Sequence, residues 1–356
     1  MDDPNLALPS DPSVDESYTK SSRPARPRSS SSGGANARGR GGAEAGEGSA
    51  GAAQPEPSRG APGAPASPSL TSDAWYRRQL ARRLGGVVTC LVLTALIAHL
   101  ALATAPGQVL DTILMEGTMR SARHYEGFSM LITGLVSVPV MVIAGAAVAL
   151  VAAARRRPTL AGRALGAVVG ANITTQILKD YILTRPNLGV TTGAGNSLPS
   201  GHTTVAVTIS LALVVVAPKL SRSPSAWLGW AWTALMGVSV MMEGWHRPAD
   251  VITAVLIAGA WALALSPIER RPRHGAHVQR IMVWISLGLL ALALVATVAG
   301  LWGFSMSAAS PGSGYGFEDF LQIRPWRSLV LGVAAVAWVS AVCGLVMHEV
   351  DRLAGQ

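Results

Sequence analysis

Charge is scarce along most of this chain, and so are phenylalanine, tyrosine and lysine. Only 14% of the 356 residues are charged, and there are four phenylalanines, five tyrosines and three lysines. The two cysteines, Cys90 and Cys343, stand far apart inside apolar runs. That excludes a disulfide framework and offers no metal-ligand spacing, so both read as small core residues. Residues 1–72 lack hydrophobic periodicity altogether, being mostly Ser, Pro, Gly, Ala and Arg. Such a segment cannot bury enough apolar surface to offset its ordering entropy, and is expected to be a disordered cytoplasmic tail. It also lacks the short apolar core of a secretory signal.

What the chain has in quantity is long apolar runs. A membrane span takes about 20 apolar residues. Candidates fall near 84–104, 129–153, 160–178, 202–217, 226–242, 250–266, 281–303 and 328–348. Eight spans of this kind predict an all-α, polytopic membrane helical bundle, with a six-span core followed by two C-terminal spans. The expected division is a tail over 1–72, a membrane-embedded core over 73–268 and a two-span extension over 269–356.

The net charge of +9 follows the spans. With the N-terminus inside, Arg77, Arg78, Arg82 and Arg83 precede the first span. Arg155, Arg156, Arg157 and Arg163 fill the loop between the second and third, Lys219 and Arg222 the loop between the fourth and fifth. Arg270, Arg271, Arg273 and Arg280 lie between the sixth and seventh. All fall on one side, as the positive-inside rule requires. The basic charge is therefore a topology signal and not a nucleic-acid footprint. Both termini are expected in the cytoplasm, and the heavy Ala, Gly and Arg usage points to the inner membrane of a high-GC bacterium.

Three polar clusters interrupt the apolar sequence: Lys179-Asp-Tyr-Ile-Leu-Thr-Arg185-Pro186, Pro199-Ser200-Gly201-His202, and His246-Arg-Pro-Ala-Asp250. Ionisable groups at the ends of apolar spans are costly and mark functional sites by default. The arginine topology sends all three to the same outer face, although none of those arginines belongs to a cluster. Arg185 offers a planar fork for phosphate oxygens and Lys179 a point charge. Ser200 is a good helix cap, and amides at a helix start attract phosphate. Gly201 permits close backbone approach, and His202 titrates where a general acid should. His246 and Asp250, four apart, share a helix face. A carboxylate on one ring nitrogen would leave the other free to attack phosphorus. Taken singly, each cluster also reads as something plainer: interfacial cations, a capped helix, a turn at the membrane surface.

The ordered set is far more specific than any member. It resembles the type 2 phosphatidic acid phosphatase family, lipid phosphate phosphatases related to the vanadium haloperoxidases. That family carries Lys-x6-Arg-Pro, Pro-Ser-Gly-His and Ser-Arg-x5-His-x3-Asp on a six-span helical core. Pro199 to His202 match the second motif, and Ser239, His246 and Asp250 match the third, with Gly244 where many members have glycine. The resemblance covers about residues 84–266. It implies His246 as the nucleophile forming a phosphohistidine, Asp250 as its orienting partner and His202 as the acid for the leaving group. Lys179, Arg185, Ser200 and the Gly201 amide would bind phosphate. It implies no metal and no cofactor. The expected partners are a lipid phosphate or prenyl pyrophosphate substrate and the membrane lipids, and no nucleic acid.

The chain departs from the family pattern twice. Five residues, not six, separate Lys179 from Arg185. One residue is about 100° of helix rotation, so Lys179 needs a looser local path. The position after Ser239, an arginine in the family, is Val240. Arg247, beside the nucleophile candidate, is the expected replacement and should matter far more than Arg222, whereas the charge of Glu243 would repel phosphate. Two other readings share the motifs: a phosphotransferase that passes the phosphoryl group to an acceptor hydroxyl, and a silent lipid-phosphate binder or transporter, which Val240 favours. The outer loop over 304–327, with Tyr315, Phe317, Glu318, Asp319 and Arg324, reads as a plain connection or a lid.

Overall fold

The computed structural model describes residues 70–121, 126–135, 138–154, 156–190, 195–268, 276–306 and 314–354. Residues 1–69, and with them nearly all of the predicted tail, lie outside the described residues, as do Arg155, Arg270, Arg271 and Arg273. Among the described residues every regular element is helical, as the apolar runs require. With no water to satisfy the backbone in lipid, a chain of this kind closes its hydrogen bonds within helices.

The helices are α1 (Leu70–Ala103), α2 (Ala105–Ser121), α3 (Glu126–Gly134), α4 (Val138–Ala154), α5 (Pro158–Ile177) and α6 (Gly201–Val216). They continue with α7 (Lys219–Met242), α8 (Pro248–Leu265), α9 (Ala276–Leu301), the short α10 (Phe317–Ile323) and α11 (Trp326–Ala354). Among the described residues, four stretches are long and apolar enough to cross a membrane: Asp73–Ala103, Pro248–Leu265, Val278–Leu301 and Trp326–Leu353. The protein is thus a membrane-embedded helical bundle. The other four predicted spans are helical too, but shorter or more polar. α6 has 16 residues, α7 carries Lys219 and Arg222, and the run over 129–153 is divided between α3 and α4.

α8 forms the centre. Its side chains from Val251 to Leu263 are almost all buried, and α1, α5, α6 and α11 pack around it. Small residues allow the close approach that holds membrane helices together. A side chain at Gly237 of α7 would strike Val251 of α8 and Val339 of α11, and one at Gly117 of α2 would strike the backbone of Gly332 in α11. Hydroxyls and an indole add polar seams: Thr175 to Thr204 between α5 and α6 at 3.0 Å, and Trp261 Nε1 to Thr174 Oγ1 between α8 and α5 at 3.1 Å. Cys90 and Cys343 are buried in these contacts. α11 packs against α2, α7, α8 and α9, so the C-terminal helix is a wall of the bundle.

The two ends of the bundle differ. At one end the Arg83 guanidinium is buried and donates to the carbonyls of Ser266, Pro267 and Leu353, tying together α1 and the ends of α8 and α11. Arg83, expected as a loop cation, is instead a structural tie. Arg222 is buried as well, at 7% exposure. At the opposite end Ala98, Ala101 and Leu102 of α1 pack against Leu198 and Ala249. From Ala249 to Ser266 the axis of α8 runs about 25 Å, so the polar clusters gather a membrane's depth away from the Arg83 tie.

Candidate active site

The first cluster begins where α5 loses its regular pitch. Leu178–Ile182 forms a π-helical turn, closed by the Leu183 amide donating to the Leu178 carbonyl at 2.8 Å. A π turn is wider than an α turn, so the backbone around Lys179 departs from regular helix geometry. Asn196 secures it: its amide donates to the carbonyls of Lys179, Leu183 and Leu198, while its own oxygen accepts from the Leu198 amide at 3.1 Å. Lys179 and Arg185 are both half-buried.

The second cluster starts α6. Leu198–Pro199 is a cis peptide. Ser200 is the N-cap, its Oγ accepting from the Thr203 amide at 3.3 Å. Its hydroxyl proton remains available to a neighbouring oxygen. A side chain added at Gly201 would meet nothing nearer than Gln176 at 3.8 Å, so space lies in front of its amide. His202, one residue on, stacks obliquely on Trp245 with ring centroids 5.5 Å apart. His246 and Lys179 both lie within electrostatic reach of it.

The third cluster is a turn and a cap. α7 ends at Met242, and the amides of Trp245 and His246 both return to the Val240 carbonyl, at 3.1 and 3.2 Å. Gly244 allows this reversal with φ +69°, and Met119 of α2 sits where a side chain would go. Val240 itself is fully buried in the apolar core. Glu243 is bonded to Ser129 of α3.

Asp250, at the third position of α8, is completely buried. Its Oδ2 accepts three hydrogen bonds: Ser197 Oγ at 2.7 Å, the Arg247 amide at 3.0 Å and His246 Nδ1 at 3.1 Å. The His246 ring is therefore held by Nδ1, and Nε2 is the nitrogen left for chemistry. Arg247 Nη1 donates to Ser197 Oγ at 3.2 Å, which makes Ser197 the joint between the carboxylate and the arginine. The backbone closes the assembly, with the Ser200 amide donating to the Asp250 carbonyl at 3.0 Å.

Two arginines stand in this site with atoms to spare. Arg185 Nη2 and Arg247 Nε are buried and have no hydrogen-bond partner. Such orphans are costly unless something accepts them, and a tetrahedral oxyanion is suited to do so. Burial, and then the neighbouring Arg247, lowers the Arg185 pKa, while Asp111 and Asp250 act against that shift.

The structure thus brings together all eight residues singled out by sequence: Lys179, Arg185, Ser200, Gly201, His202, His246, Arg247 and Asp250. It adds three from α2 and the loop before α6. Gln108 donates to the carbonyl of Pro186 at 3.0 Å, Asp111 accepts from the Ala249 amide at 2.9 Å, and Ser197 has been described. None lies in a recognisable motif. An acidic residue in an otherwise apolar stretch was the one available signal, and it was available for Asp111.

The described part of the loop over 304–327 also reaches the site's edge. Tyr315 donates its phenolic proton to the Leu188 carbonyl at 2.6 Å, bracing the segment that follows Arg185 and Pro186. Phe317, Phe320 and Leu321 are buried beside it, so this part of the loop is anchored.

Comparison with curated proteins and with solved structures yields no match. A family model described as the PAP2 superfamily matches residues 160–274, a stretch from the start of α5 to just past the end of α8. All three clusters lie within it, so the stretch that resembles the PAP2 superfamily is the one that carries the candidate site.

Proposed function

We propose that this protein is an integral membrane phosphatase that removes phosphate from a lipid phosphate or prenyl pyrophosphate through a phosphohistidine on His246. A PAP2-superfamily domain implies phosphatase activity in general. The observation that carries the finer reading is the triply bonded Asp250 Oδ2, which holds His246 by Nδ1. In the first step His246 Nε2 attacks phosphorus, the bond to the leaving oxygen breaks, and His202 gives that oxygen its proton. Water then attacks the phosphohistidine, losing its proton to His202, and inorganic phosphate leaves. Arg185, Arg247, Lys179, the Ser200 hydroxyl and the Gly201 amide offset the charge on the phosphoryl oxygens. The reading includes no metal and no cofactor.

An apolar groove supports a lipid substrate. A cavity of about 840 Å³ lies between α1, α5 and α8, lined among others by Leu91, Ala95, Leu178, Ile257 and Trp261. It runs along α1 from Val87 to Ala103, about 24 Å, and ends at Thr184, next to Arg185. A hydrocarbon chain lying there would place its phosphate at the arginines.

On this reading the chemistry belongs to residues 73–268, with 269–356 as a C-terminal extension. Both termini are cytoplasmic, and the site faces outward from a bacterial inner membrane. A silent lipid-phosphate binder is the second reading, favoured by the burial of Val240, although binding alone does not need an oriented histidine. The deciding experiment measures phosphate release by purified protein in detergent with EDTA, on phosphatidic acid, phosphatidylglycerol phosphate and undecaprenyl pyrophosphate. Release that vanishes in His246→Ala is expected. Lipid-phosphate binding without release from any of them would favour the binder.

A further inference from the structure

Asp111 lies outside the matched domain, in a helix that is not among the long apolar ones, yet its side chain ends inside the site. It is 6% exposed. Oδ1 accepts from the Ala249 amide, in the first turn of α8, while Oδ2 is buried with no hydrogen-bond partner. The charged groups acting on it are Asp250 and Arg247 from the start of α8 and Arg185 from the loop after α5. The other charges of α2, Glu116 and Arg120, pair with each other at 3.3 Å. An unpartnered carboxylate oxygen thus lies within electrostatic reach of Arg185 and Arg247, each of which has an unpartnered guanidinium nitrogen.

Two carboxylates and two guanidiniums balance in charge, but a phosphate adds about two negative charges to them. Both arginines turn to the oxyanion, and Asp111 then faces Asp250 with no cation to offset it. A buried carboxylate in that position is most cheaply accommodated as the neutral acid. We propose that Asp111 is a positioning residue that serves as counter-charge to Arg185 and Arg247 until an oxyanion replaces it, and that it takes up one proton from solvent as the oxyanion binds. This rests on the reading of Arg185 and Arg247 as the phosphate clamp. Burial, reinforced by Asp250, already pushes the Asp111 carboxyl up to about 7, against the opposing pull of the Ala249 amide and the two arginines. Withdrawal of the arginines would raise it further, so proton uptake falls in the neutral to alkaline range.

The test is calorimetric binding of sulfate to the full chain in detergent between about pH 5.5 and about pH 8.5, for wild type and Asp111→Asn. Sulfate keeps its double charge throughout this range, unlike phosphate. Asparagine retains an oxygen for the Ala249 amide and stands in for the protonated acid. Wild-type affinity should fall with pH above about 7 more steeply than that of Asp111→Asn, by up to about tenfold per unit. The variant should therefore bind sulfate at least about tenfold tighter at the alkaline end. His202 and His246 are present in both proteins, so their contribution drops out of the comparison. Loss of the Ala249 anchor alone would shift affinity equally at every pH, so parallel profiles overturn the proposal. Sulfate binding to neither protein would instead remove the phosphate clamp on which it rests. Infrared difference spectra give a readout on the wild type alone. Sulfate addition at about pH 8 should produce a protonated-carboxyl stretch, and its absence also overturns the proposal.

Discussion

Two parts of the molecule meet at the site, and they differ in kind. The segment from α5 to α8 carries the histidines, the cations and Asp250, and its motifs are readable one residue at a time. α2 carries no motif, yet it touches the first and third clusters of the site. Gln108 holds the Pro186 carbonyl, Asp111 holds the Ala249 amide, and Met119 packs on Gly244. The first part supplies the groups proposed to touch substrate; the second sets where those groups stand. The segment that matches the PAP2 model is thus braced in part by a helix outside it.

That contrast predicts a graded series of effects. His246→Ala removes the proposed nucleophile and should lower phosphate release by at least about 10³-fold, measured with EDTA on whichever lipid phosphate is turned over. Arg247→Ala should cost roughly 10²–10³-fold in kcat, the scale of losing one donor to a transition-state oxyanion. Arg82, exposed on α1, is the proper control; the buried Arg222 is not. Equal losses in Arg247→Ala and Arg82→Ala would remove Arg247 from the site.

Changes in the supporting part should appear in stability and pH dependence before they appear in chemistry. Gly244→Ala forces an L residue to φ +69° against Met119, and should destabilise the protein by roughly 1–3 kcal/mol, read as a lowered melting temperature. Asp111 gives a pH signature. Its folded pKa of about 7 stands above the ordinary 3.8, so the folded protein keeps a proton there that the unfolded chain has lost. Stability drawn from this group therefore declines as pH rises from about 4 to about 7. The melting temperature of Asp111→Asn relative to wild type should increase over the same interval, and a constant difference would contradict the burial argument. Tyr315→Phe should have the smallest effect, removing one hydrogen bond to Leu188 and about 0.5–1.5 kcal/mol, with KM moving more than kcat.

The motifs were legible because phosphate chemistry restricts residue types and spacing so tightly. A histidine four residues before an aspartate at a helix start can be inferred to share a face, and Asp250 Oδ2 does receive His246 Nδ1. The π turn at Leu178–Ile182 was not legible: the five-residue gap after Lys179 suggested only a looser local path. The topology arginines were less transparent. Arg83 and Arg222 sit in basic stretches next to spans, and a charge count cannot tell a loop cation from a buried tie. Ser197 and Asn196 were hidden for a different reason. They are ordinary loop residues whose roles come largely from hydrogen-bonded partners 13 to 53 residues away in sequence.

Hydrophobic length and arginine placement by themselves determined that this chain is a membrane-embedded helical bundle, because the cost of polar backbone in lipid leaves few alternatives. Three clusters with the right residues in the right order pointed by themselves to phosphate. It took the folded bundle to bring Arg247 to Ser197 and Asp250 while Val240 turned into the core. Only there does α2 come close enough to place a second carboxylate beside two arginines. Those outcomes depend on helix rotation and on close approaches at single glycines, and side chains separated by more than a hundred residues meet through packing that no local pattern encodes.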